Sequence, residues 1–146
     1  MRNDIWRRQA ESDLREYEAK KKSLENIPDQ IRELEEKMTS IRSQTADSVS
    51  VKGGGGSRDD AYLNNIVARD RLTANLEEAR RAVSRVNGAL SILTQEEKEL
   101  LERFYMTPEK EVSFNMAHEL SVDRKTVYYR KDAALKKFTI AMYNGI

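Results

Sequence analysis

Arg124, Lys125, Thr126, Tyr128, Tyr129, Arg130 and Lys131 crowd into about two helical turns. Guanidinium and ammonium groups donate to phosphate oxygens, and arginine can bind a guanine edge through two parallel hydrogen bonds. The chemistry open to this set is recognition of a polyanion. From Ser121 to Lys137 the basic residues are Arg124, Lys125, Arg130, Lys131, Lys136 and Lys137, against only Asp123 and Asp132. Upstream, Thr94 to Leu120 carries Glu96, Glu97, Glu99, Glu102, Glu109, Glu111 and Glu119 against Lys98, Arg103 and Lys110. Positive charge is thus sorted onto one short segment, as a nucleic-acid footprint requires.

The residues around that segment can present it. Residues 113–132 read as two helices joined by a tight turn. Met116, Leu120, Val122 and Val127 fall at spacings that bury one face of each helix. Ala117 stands where the two helices approach closely, and Ser121 takes the turn. Asp123 is placed to cap the second helix through the amide of Lys125 or Thr126. This is a helix-turn-helix, whose second helix enters the major groove of double-stranded DNA with its first turns against base edges and phosphates. Arg130, three residues after Val127, lies where such motifs usually bury an aliphatic side chain. Either it snorkels past the core to a phosphate, or the helix is rotated and the groove-facing set changes. Tyr128 and Tyr129 carry the same alternative.

Composition narrows the remaining classes. The chain has 146 residues, 35% charged and 38% hydrophobic. That suits long helices and small helical modules rather than a large globular core. A net charge of +1 gives no global field, so attraction to nucleic acid must be local. Absence of cysteine removes disulfides and thiol chemistry. His118 is the one histidine, and no nucleophile or orienting group is spaced around it. No enzyme, metal site or cofactor is expected. No apolar stretch at the start resembles a signal peptide and none could span a membrane, so a cytoplasmic protein is expected.

The expected organisation is all-α, with a helical hairpin or coiled coil over 1–93 and a DNA-binding domain over 94–146. The first helical segment runs from about Asp4 to Gln44, with Leu14, Tyr17, Leu24, Ile27, Ile31, Leu34, Met38 and Ile41 mostly three or four apart. Pro28 predicts a kink or a fresh helix start. Residues 45–57 include four consecutive glycines before Ser57, a composition shared by natural turns and engineered linkers, and predict a flexible turn. The second segment, from about Arg58 to Leu93, carries Leu72, Leu76, Ala79, Val83, Val86, Leu90 and Leu93 in alternating steps of four and three, a heptad seam. Such a seam must pack on another helix. Its partner is the first segment, or the same seam in a second copy, giving a homodimer through residues 58–93. Thr94 and Glu97 form a capping box that starts the next helix, buried through Leu100, Leu101 and Phe104. Ala134, Leu135, Phe138, Ala141 and Met142 extend the last helix along an apolar stripe.

Residues 93–105, Leu-Thr-Gln-Glu-Glu-Lys-Glu-Leu-Leu-Glu-Arg-Phe-Tyr, then the helix-turn-helix, then Arg-Lys-Asp-Ala-Ala-Leu-Lys-Lys-Phe, resemble region 4 of bacterial sigma factors. The whole layout, including Asp-Ile-Trp-Arg-Arg near the start and Phe-Thr-Ile-Ala-Met-Tyr-Asn-Gly near the end, resembles the ArpU/RinA-type phage regulators of late genes. That resemblance implies sequence-specific DNA binding at a phage or prophage late promoter, activation of transcription and contact with RNA polymerase, in the bacterial host cytoplasm or nucleoid. Two other classes fit the elements: a small terminase-like packaging protein, and a helical adaptor that does not bind nucleic acid. A ring of many subunits marks the first, and absence of salt-dependent DNA binding marks the second.

Overall fold

The computed structural model describes residues 2–47 and 55–144, with side chains described over 4–41 and 59–144. The chain is all-α. Helix α1 spans Arg2–Asp47 and α2 Gly55–Leu90; α3 is Gln95–Leu101, followed by one π-helical turn at Glu102–Met106; α4 is Val112–Leu120 and α5 Arg124–Tyr143. Among the described residues no helix is long and apolar enough to cross a membrane.

Packing forms two compact units, Lys21–Arg80 and the combination of Met1–Lys20 with Arg81–Ile146. The expected boundary between 93 and 94 falls at the α2–α3 turn, where Leu93 donates to the Leu90 carbonyl at 3.1 Å. Around that turn the ends of both long helices share a unit with the C-terminal helices.

In the Lys21–Arg80 unit, heptad spacing governs burial. Ile27 and Met38 of α1 and Leu76 and Ala79 of α2 are buried, while Leu24, Ile31, Leu34, Ile41 and Leu72 are half-buried. Each stripe is covered within a single chain, so the seam does not need a second copy to stay dry. Pro28 lies inside α1 without a break, so no fresh helix starts there. Proline removes one backbone hydrogen bond, and the turns on either side are held by packed apolar side chains. The expected turn over 45–57 is shorter: 45–47 continue α1 and 55–57 open α2, since adding a residue to an existing helix is far easier than starting one. Residues 48–54 lie outside the described set.

In the other unit, Ala10 and Leu14 of α1 are fully buried, with Tyr17, Val83, Val86, Ala89 and Leu93 close behind. The Tyr17 hydroxyl donates to the Asn87 side-chain oxygen at 2.6 Å, which sets the early turns of α1 beside the last turns of α2. Trp6 stacks on Tyr143 with ring centroids 5.0 Å apart, and the Tyr143 hydroxyl bonds Asp13. The start of α1 thus lies against the end of α5. Leu100, Leu101, Ala134, Leu135 and Phe138 are essentially inaccessible. The leucine and phenylalanine side chains among them contribute about 1.5–3 kcal/mol each when fully buried.

Candidate nucleic-acid interface

The helix-turn-helix is assembled from a small core and three local devices. Leu100, Met116, Ala117 and Val127 are buried together, with Phe104, Val112, Leu120 and Val122 packed against them. Ala117 is at the crossing, as expected from its size. Ser121 adopts the left-handed conformation at φ 55°, and Val122 donates back to the Ala117 carbonyl at 3.0 Å. That closes α4 and turns the chain within two residues. Asp123 then caps α5, its carboxylate accepting from the Thr126 amide at 2.8 Å. Hydrogen bonding from the Thr126 hydroxyl, and then from this amide, holds the Asp123 carboxyl below its usual range. A second left-handed residue, Glu111 at φ 55°, opens α4. Outside glycine, asparagine and aspartate this conformation is uncommon, so the neighbouring packing must hold it.

Arg103 secures α4 from the other side. Its guanidinium donates in a fork to both carboxylate oxygens of Glu119, at 2.6 and 3.0 Å. Its Nε donates to Glu109 at 3.0 Å, and Glu99 lies 3.5 Å away. Hydrogen bonding from Arg103 holds the Glu119 carboxyl below the ordinary carboxylate range. The π-helical turn carries Arg103, so this fork ties that turn to α4. Sequence reading did not find the network: only Glu99 lies at helical spacing from Arg103, and Glu109 and Glu119 give no local signal.

The seven candidate DNA-binding residues divide. Lys125 and Tyr129 are exposed, Tyr129 by 76%. Arg124 is exposed and anchored, its Nε donating to the buried Ser113 hydroxyl at 3.2 Å. Tyr128 is half-packed, its ring edge-on to Phe104 at 5.8 Å. Hydrogen bonding with Ser113, then with Arg124, pulls its phenol below the usual range. Thr126 is half-buried beside its capping partner. Arg130 donates to Glu96 at 2.8 Å and belongs to a pair between α3 and α5. Lys131 turns inward. Its side chain is only 13% exposed, and its ammonium sits 5.5–5.8 Å from the centroids of Phe104, Tyr105 and Tyr128. Burial opposes its charge, but the hydrogen bond to Asp132 and the neighbouring Tyr105 outweigh it and hold the ammonium above its usual range.

Helical rotation explains the split. The buried face of α5 runs through Val127, Lys131, Ala134, Leu135 and Phe138. It is Lys131, not Arg130, that lays its methylenes along the core position. The opposite face presents Lys125, Tyr129, Asp132 and Lys136, spaced four, three and four apart and all exposed. Lys137, like Arg130, is drawn to α3, 3.0 Å from Glu97. Part of the charge sorting in the sequence is therefore internal: the first-turn acids of α3 hold two cations of α5. Among the described residues Lys125 and Lys136 form no ion pair, and they carry the outward positive charge of this face.

Two further features border it. Phe114, His118, Val122 and Arg124 line an open groove of about 470 Å³ at the turn. Arg7 of α1 donates to Asp132 at 2.7 Å across 125 positions of sequence. Among the described residues no cluster of histidine, aspartate and glutamate could hold a metal ion. No family model, curated protein or solved structure matches the chain.

Proposed function

We propose that the protein is a sequence-specific double-stranded DNA-binding regulator whose α5 enters the major groove. It is a binding protein rather than an enzyme. The observation that carries this reading is the face of α5 bearing Lys125, Tyr129 and Lys136 next to the anchored Arg124, held out by a turn with left-handed Ser121 and a capped first turn. A rigid helix with exposed donors on its first turns and its other face in a core is what groove docking requires. The resemblance to sigma region 4 and to the ArpU/RinA-type regulators extends the reading to phage or prophage late promoters, to activation, and to contact with RNA polymerase in the bacterial cytoplasm.

The test is binding to duplex DNA over a salt series, with a footprint on phage and host genomic DNA to locate the site. Binding should weaken linearly in log–log form as salt rises. Arg124→Ala or Lys125→Ala should each cost about 1–3 kcal/mol and relax one base position where the contact is to guanine, or lower the salt slope by about one where it is to phosphate. Unchanged affinity and slope in both variants would remove α5 from the groove. A footprint on a packaging site instead of a promoter would assign the DNA binding to packaging.

A further inference from the structure

The outward face of α5 carries one residue that opposes DNA. Asp132 lies one heptad after Lys125 and four residues before Lys136, and all three are exposed. A bare carboxylate there would meet the phosphate backbone with like charge. Two cations converge on it: Lys131 at 2.9 Å and Arg7 at 2.7 Å. Lys131 is held among Phe104, Tyr105 and Tyr128, with its side chain only 13% exposed. Arg7 is 46% exposed, so it is the cation that solvent and a ligand on this face would meet. Its position is not accidental to one flexible side chain. Trp6, its neighbour, stacks on Tyr143, Arg15 two turns on lies 5.4 Å above the Tyr105 ring, and Glu11 steadies the guanidinium from within α1 at 3.5 Å.

We propose that Arg7 is part of the DNA-facing surface, where it cancels the charge of Asp132 and lets the phosphate backbone approach α5. This rests on the DNA-binding reading. It makes α1 a contributor to the interface, so that the functional DNA-binding module includes the first turns of the chain as well as the helix-turn-helix. The partner is the phosphate backbone of double-stranded DNA, and the contribution is electrostatic rather than base-specific.

The experiment uses the full chain and a random-sequence DNA duplex, with affinity measured at low and at physiological salt. Arg7→Gln should weaken binding roughly three- to tenfold at low salt, the scale of one unit charge near a protein surface, and the loss should shrink as salt screens it. Asp132→Asn should tighten binding by a similar factor. The double variant Arg7→Gln with Asp132→Asn should return to near wild-type affinity. That rescue separates charge cancellation from folding, because the double variant lacks the pair altogether. Arg32→Gln, the same charge change at an exposed pair with Asp29, should leave affinity unchanged. Wild-type binding by Arg7→Gln, a double variant as weak as Arg7→Gln alone, or an equal loss in Arg32→Gln would each overturn the proposal while leaving the DNA-binding reading in place. Failure of the wild-type protein to bind the duplex at any salt would remove the DNA-binding reading itself, and this inference with it.

Discussion

In the unit formed by residues 21–80, ion pairs between neighbours along one helix recur among the described residues, as Lys22 with Glu25, Arg32 with Asp29 and Arg80 with Glu77, each three residues apart and exposed. In the unit that holds the C-terminal helices, local pairs such as Arg7 with Glu11 are joined by pairs that span the sequence: Arg103 with Glu119, Arg130 with Glu96, Lys137 with Glu97 and Arg7 with Asp132. Local pairs support a helix that already exists and fix nothing beyond it. Long-range pairs set one helix against another. The first unit needs only its two apolar stripes in register. The second must hold a short helix at a defined rotation, so that Lys125 and Tyr129 face outward while Lys131 faces in. The difference predicts that the first unit breaks through its apolar seam, and that the second is sensitive to both packing and charge.

The largest effect is expected where a charge enters the apolar seam. Leu76 is 7% exposed, and Leu76→Asp should cost about 3 kcal/mol or more, from lost burial and from a carboxylate left dry without a partner. Far-UV circular dichroism should show lost helicity and a lower melting temperature. Sedimentation should show that the wild-type chain is already a monomer, since one chain covers the seam. A wild-type dimer that dissociates on Leu76→Asp would instead assign the seam to a homodimer through residues 58–93.

Packing at the helix crossing comes next. Ala117 is buried with Leu100, Met116 and Val127, and three added heavy atoms would press on those neighbours. Ala117→Leu should destabilise the unit by about 1–3 kcal/mol through overpacking, measured as a fall in melting temperature of the full chain. An unchanged melting temperature would mean that α4 and α5 are not in close contact at this residue.

These two sites also mark what the sequence made legible. Ala117, Ser121 and Asp123 were readable because a helix-turn-helix writes its demands locally: a small residue at the crossing, a left-handed turn, a cap. The heptad seam and the Thr94–Glu97 box were readable for the same reason, and the box closes with two hydrogen bonds of 3.2 Å. What stayed hidden was set by distance in sequence or by competition. Nothing near Arg7 points to a partner 125 positions away. The basic run 124–131 does not say which cations face out, because Lys131 can reach the Phe104 and Tyr105 rings and Arg130 can reach Glu96 only once α3 and α5 are packed. Pro28 signals a break, yet the helix runs through it, since tertiary packing outweighs one missing hydrogen bond. The π-helical turn at Glu102–Met106 has no sequence signature at all.

Charge is the third probe. Removing Arg103, whose side chain is 16% exposed, frees three carboxylates of their common donor, and Arg103→Ala should cost about 1 kcal/mol. The pH dependence has a defined sign. Arg103 depresses the Glu119 carboxyl. For Glu97, burial acts in the opposite direction, but hydrogen bonds from Lys137 and Thr94 prevail and its carboxyl is also depressed. A carboxyl depressed by folding stabilises the native state above its unfolded pKa of about 4.3, and that contribution is lost as pH falls through the lower folded value. Stability should therefore be flat near neutrality and fall below about pH 4, and the fall should be shallower in Arg103→Ala. Identical acid profiles for wild type and variant would show that the fork to Glu119 does not hold in solution.

The smallest effect closes the comparison from the other side. Arg32→Ala removes a pair at 2.8 Å in which both side chains are about two-thirds exposed, at 67% and 66%. Its geometry is as good as that of Arg130 with Glu96, also 2.8 Å apart. Were distance alone decisive, the two deletions would cost the same. They should not, because Arg32 and Asp29 are already neighbours in the unpacked helix and the pair adds only about 0.2–0.5 kcal/mol. Arg130 and Glu96 come together only when α3 meets α5. The discriminating measurement is a double-mutant cycle at each pair, Arg32 with Asp29 and Arg130 with Glu96, read by thermal melting at low and high salt. Coupling at the local pair should vanish at high salt, while coupling between α3 and α5 should persist in part because both partners are held by the packing around them. Equal coupling at both pairs, lost equally with salt, would show that the long-range pairs of the C-terminal unit are no more than surface charge and that apolar packing alone sets the rotation of α5.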